Sequence, residues 1–177
     1  SDGDRELEQT MLAINLAGNF SAGDAILAGI VGALAMLVVM YGGRAMGMTS
    51  MDLLRTLGTM MVPKASTGMT YGIGMMMHLM MGAGFGLLHA GVLHAVDPSS
   101  DGDAVVVGLV AGVVHGMVVA GMMPTMLTTM HPLVKSGQIY APGPFMTGMG
   151  KMTPMGMIMA HVVFSIVAGA IYVGAVG

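Results

Sequence analysis

Cysteine is missing from this 177-residue chain. Its absence removes disulfides, thiolate metal centres and thiol catalysis, and leaves His, Met and carboxylates as the side chains for any metal. Charge is nearly as scarce: Asp, Glu, Lys and Arg make up 8% of the residues, against about a quarter in an ordinary soluble domain. With 55% hydrophobic residues and a mean hydropathy of +0.81, this scarcity points to an integral membrane protein. Six Lys plus Arg and a net charge of −3 give no basic footprint for nucleic acid. Catalytic patterns are also lacking. There is no Ser-His-Asp set, no phosphate-cradling glycine loop beside a lysine, no His-Glu-x-x-His helix and no dinucleotide fingerprint, so no enzyme is expected. The acidic start lacks the basic stretch and short apolar core of a secretory signal, and is compatible with one removed upstream.

What the chain does have is long apolar runs, 29 glycines and 25 methionines. A bilayer crossing needs roughly 20 apolar residues, and four segments qualify: 22–43, 72–96, 104–127 and 155–176. Their continuous rather than alternating hydrophobicity excludes barrel strands. The predicted fold is therefore all-α, a four-helix transmembrane bundle in a single membrane domain over 1–177. High glycine predicts close helix contacts, because small residues let backbones approach where hydrophobic packing supplies no driving force.

Arg44, Arg55 and Lys64 fall in the first connection, and Lys135 and Lys151 in the third. The tail 1–21 and the connection 97–103 hold most of the acids and only Arg5. The positive-inside rule then makes the first and third connections cytoplasmic and puts both termini outside, in what reads as a prokaryotic plasma membrane. In the first connection Thr49 and Asp52 resemble an N-cap with an acid three residues on. Leu53, Leu54, Leu57, Met60 and Met61 form one apolar stripe, so 50–61 reads as an interfacial helix. Residues 6–16 suggest a second such helix on the outer side. The Pro- and Gly-rich third connection is expected to be irregular.

The chain also matches itself. Ser21, Gly23, Asp24, Ala25, Gly29, Val39 and Gly42 align with Ser100, Gly102, Asp103, Ala104, Gly108, Val118 and Gly121 at an offset of 79 residues. Met69, Thr70, Met76, His78, Gly86 and Gly91 align with Met152, Thr153, Met159, His161, Gly169 and Gly174 at an offset of 83. Two parallel hairpin repeats follow, 22–96 and 104–177, related by an axis along the membrane normal. Asp24 and Asp103 then lie at helix N-termini, where a carboxylate caps free amides.

On this layout His78 and His161 sit at matched depth, about 10–13 Å inside their helices at 1.5 Å per residue. Met122, Met123 and Met126 of the third helix and Met36 and Met40 of the first come close to that level. His115 lies deeper and occupies the repeat position of Met36. An imidazole in hydrocarbon must be satisfied by something, and three readings compete. Each ring bonds a carbonyl or hydroxyl on a neighbouring helix as structural glue. Alternatively, His78, His161, Met122, Met126, Met36 and His115 form a Cu(I) site, since thioether and imidazole are soft enough for that ion. In the third reading haem b is held between His78 and His161, with Gly74 and Gly82 making room, although no arginine stands at that level for the propionates. His89 and His94, near Asp97, Asp101 and Asp103, suggest an outer metal-capture site or simply a solvated acidic loop. His131 opens a His-Pro turn and reads as interfacial.

Met-x-x-x-Met, which puts two sulfurs on one helical face, occurs at Met36–Met40, Met76–Met80, Met77–Met81 and Met122–Met126–Met130, and Gly82–Gly86 supplies Gly-x-x-x-Gly. These short patterns resemble those of the copper-uptake transporters, which carry the first in one span and the second in another. The duplicated four-span layout departs from that family's three spans. The functional expectation is a non-catalytic membrane protein, a small or accessory subunit of a larger membrane complex with membrane-protein partners and a Cu(I)-suited His/Met site. The alternatives are a stand-alone Cu(I) carrier or chaperone, and a haem b electron-transfer subunit.

Overall fold

The computed structural model describes Gly3, Arg5 and residues 20–176; the helix read at 6–16 lies outside the described residues. Every regular element among them is helical: α1 (Ala22–Ala45), α2 (Leu53–Met61), α3 (Thr67–Val96), α4 (Asp101–Met130), α5 (Pro132–Lys135), a 3-10 segment (Pro144–Met149) and α6 (Thr153–Val176). Four of these, α1, α3, α4 and α6, are long and apolar enough to cross a membrane.

Helix starts follow side-chain capping of free amides. The Ser21 hydroxyl accepts from the Asp24 amide at 3.3 Å, Ser66 from Met69 at 3.4 Å and Ser100 from Asp103 at 3.2 Å. The caps of α1 and α4 are therefore serines, and Asp24 and Asp103 stand three residues inside. Asp103 instead accepts from the Ser99 and Ser100 hydroxyls. In the first connection the cap is Asp52, not Thr49: its carboxylate takes the Arg55 amide at 3.1 Å, and α2 starts at Leu53. Thr49 is drawn off to Thr153 and the Met149 carbonyl. The third connection is irregular, as expected, apart from α5 and the 3-10 segment, where Phe145 and Met146 take left-handed backbone angles.

The long helices form an arc in the order α3, α1, α6, α4. Neighbours along the arc pack extensively, while α3 and α4 meet only sparsely and leave a seam. Glycines set tight contacts of α1 with α3 and of α4 with α6. A β-carbon on Gly86 would stand 2.2 Å from the Ala25 carbonyl oxygen of α1, and one on Gly112 of α4 would stand 2.6 Å from the Cα of Val162 on α6.

The apolar stripe of α2 is turned onto protein. Leu53, Leu54 and Leu57 are buried, Met61 is exposed, and a β-carbon on Gly58 would lie 1.9 Å from the Thr70 carbonyl oxygen of α3. His131 is wholly buried against protein. It accepts the Leu133 amide at Nδ1 and donates from Nε2 to the Thr56 carbonyl and Thr59 hydroxyl, each 3.1 Å away, and so pins α2 to α5. At the opposite end of the bundle the Tyr172 hydroxyl meets His94 Nε2 at 2.8 Å and the Ser21 amide at 3.2 Å, tying α1, α3 and α6 together.

Candidate functional site

All six residues singled out by the sequence, His78, His115, His161, Met36, Met122 and Met126, line one cavity of about 680 Å³. Met40, Met51, Met81, Met123, Met130 and Met157 join them on its wall, and Leu53 and Leu57 bring α2 to it. The chamber exists because the arc does not close: α3 and α4 hold its two sides while the seam between them stays unfilled. Met36 is buried, whereas Met122, 66% exposed, lies at the rim.

His78 and His161 are 4% and 5% exposed. Their positions follow from helix geometry. His78, Gly82, Gly86, His89 and Leu93 share the buried face of α3, since residues three and four apart stack on one side of a helix.

Each ring spends one nitrogen on a carbonyl. His78 Nε2 donates to the Ala33 oxygen of α1 at 3.0 Å, and His161 Nδ1 donates to the Met157 oxygen one turn back at 2.7 Å. A carbonyl only accepts, so these bonds fix the tautomers. The unprotonated nitrogens are Nδ1 of His78 and Nε2 of His161, and neither has a hydrogen-bond partner among the described residues. Rings held by one N–H on a backbone carbonyl with the other nitrogen bare have the usual arrangement of histidine metal ligands.

His115 is set differently. Its Nδ1 lies 3.2 Å from His89 Nε2, its Nε2 is buried without a partner, and its ring centre stands 4.6 Å from that of His161. Phe85, with ring centres 4.1 Å apart, and Phe164, at 6.1 Å, flank it with apolar surface. The structure thus separates the two outer histidines of α3: His89 turns inward to His115, and His94 turns to Tyr172. Among the described residues neither joins Asp97 or Asp103 in a group that could hold a metal ion. The sequence reading missed His89 as a neighbour of the chamber, yet a signal was present. It follows His78 by eleven residues, close to three full turns, which puts both rings on one face.

Nitrogen and carboxylate donors alone do not complete a centre. Among the described residues no group of three or more His, Asp or Glu side chains is placed to hold a metal ion. A metal in this chamber would have to draw on thioether as well as imidazole, a donor set that suits soft ions. Haem fits less well, because His78 commits the nitrogen farther from its backbone to Ala33 and leaves Nδ1, beside its own helix, for a bulky macrocycle.

A second groove of about 560 Å³ continues the seam along α3 and α4 past His89 and His115, and is otherwise lined by Phe, Leu, Val and Ala side chains. No protein-family model, curated protein or solved structure matches the chain.

Proposed function

We propose that this chain is a non-catalytic membrane protein that holds Cu(I) in an intramembrane His/Met chamber and works as a small subunit of a larger membrane assembly. The observation that carries this reading is the convergence of His78, His115, His161 and a wall of methionines on one cavity, with the tautomers of His78 and His161 set by carbonyls. Structural glue accounts for His78, which bonds a neighbouring helix, but not for His161, whose bond stays on its own helix.

The duplicated-hairpin reading draws support from matched environments. Ser21 and Ser100 both cap helices. Thr70 and Thr153, like His78 and His161, are both buried, and Met76 and Met159 are both exposed. Met36 and His115, which occupy one repeat position, both line the chamber. The subunit role is favoured by short connections and by α4, whose apolar surface is the least covered of the four long helices. Unfilled apolar helix faces suit further helix contacts as well as lipid. In this reading α2 and α5 lie on the cytoplasmic side and both termini outside, an orientation that the basic first and third connections support, in a plasma membrane of prokaryotic type.

Elemental analysis of the protein purified from its native membrane tests the reading. The expected result is about one copper per chain, lost in the His78→Ala/His161→Ala variant while the fold is kept. A wild-type chain that stays folded and takes up no Cu(I) on anaerobic incubation overturns it. A red preparation with a Soret band would replace copper by haem b. Purification as a lone, monodisperse carrier with transport activity of its own would remove the subunit role.

A further inference from the structure

We propose that His89 is a positioning residue that holds the Nδ1 proton of His115 and so keeps His115 Nε2 bare as a nitrogen ligand of the chamber; the ligand role rests on the Cu(I) reading. The His89–His115 bond can be made with the proton on either ring, and the two forms have opposite consequences. If His89 donates, His115 must carry its proton on Nε2, and a buried N–H is left with no acceptor. If His115 donates from Nδ1, its Nε2 is only a lone pair without a donor, and the proton of His89 sits on its own Nδ1, which is not among the fully buried atoms left without a partner. Buried N–H groups without partners are rarer than under-used acceptors, and an unmade bond to a buried donor is costly. The second form is therefore favoured.

The neighbouring ring points the same way. His161, whose Nε2 is already unprotonated, stands 4.6 Å from His115 between ring centres. No hydrogen bond joins the two among the described residues. Two rings that each contribute a bare nitrogen cannot bond one another, whereas a soft cation satisfies both. His89 then does for His115 what the Ala33 and Met157 carbonyls do for His78 and His161: it accepts the proton on one nitrogen and frees the other.

Nitrogen-15 NMR of the full chain with labelled histidine, in nanodiscs and without metal, reads the tautomer directly. His115 is expected to carry its proton on Nδ1 in the wild type, and to lose that preference in His89→Leu. Wild-type His115 protonated on Nε2 overturns the proposal. Competition for Cu(I) against bathocuproine disulfonate supplies the second readout. His89→Leu is expected to bind Cu(I) about 10–100-fold more weakly, and His89→Gln, whose amide oxygen accepts the same proton, to recover most of the loss. Equal weakening by Leu and Gln overturns the positioning role in favour of packing, and so does unchanged affinity in His89→Leu. A wild-type chain that takes up no Cu(I) overturns the ligand role together with the copper reading, while the NMR result still decides where the proton sits.

Discussion

Four donors converge on the Asp52 carboxylate: the Tyr41 hydroxyl at 2.7 Å, the Arg55 amide at 3.1 Å, and the Arg44 guanidinium and Tyr71 hydroxyl. Burial alone would raise the pKa of this acid, but the bonds from Tyr71, Tyr41 and Arg44 outweigh it and hold the carboxyl below its usual range. One side chain thereby joins α1, α2 and α3. Asp52→Ala is expected to cost about 2 kcal/mol, the scale of losing hydrogen bonds to a charged group, read as a lower thermal midpoint in detergent. Burial also lowers the pKa of His131 despite its bond to the Thr56 carbonyl. The sign of the pH dependence is the same for both groups. The native state favours ionised Asp52 and neutral His131, so in each case the unfolded chain binds protons more readily. The His131 contribution is complete above about 6.5, its ordinary value, and erodes as the pH falls below it. The Asp52 contribution erodes at lower pH, as the acid is driven through its depressed value. Thermal midpoints are thus expected to fall on acidification, with a smaller loss just below pH 6.5 in His131→Gln. At this scale the sequence revealed the chamber histidines, because hydrocarbon makes any imidazole conspicuous. It concealed the role of His131, whose partners Thr56 and Thr59 lie 75 and 72 residues away, and the Asp52 cap, because the competing Thr49 is drawn off by Met149 and Thr153 from the far end of the chain.

Among the elements, the spans were legible from run length, and their ends were not. Hydropathy begins the second span at 72, yet Ser66 starts α3 at Thr67, because capping rather than lipid solubility sets a helix start. The stripe on α2 read as that of an interfacial helix, and its leucines pack on protein while Met61 is exposed, since a short amphipathic helix meets either surface with the same pattern. Glycine positions divide in a way that tests the packing. Gly86→Ala sets a methyl 2.2 Å from the Ala25 carbonyl oxygen, while Gly84→Ala meets nothing within 4 Å. The first is expected to destabilise by about 1–3 kcal/mol, the usual cost of overpacking. The second is expected to be neutral or to stabilise by at most about 1 kcal/mol through helix propensity. Thermal unfolding of the two variants side by side checks the contrast, and equal midpoints would refute the close α1–α3 contact.

For the whole molecule, the absence of cysteine makes the proposed orientation simple to test with single introduced thiols. Ser99 and Ser136 are exposed at opposite ends of α4. A membrane-impermeant maleimide is expected to label Ser99→Cys in intact cells, and Ser136→Cys only after the cells are opened. The reverse pattern would invert the topology. Class and span number follow from composition and run length alone, because partition into hydrocarbon depends on summed hydrophobicity over about 20 residues and little on their order. The seam between α3 and α4, the chamber it leaves, and the inward turn of His89 were decided only by tertiary packing. Helices apolar on every side carry no amphipathic signal to say which face meets a neighbour. Here that choice was made by glycine contacts that bring α1 against α3 and α4 against α6, and leave α3 and α4 apart.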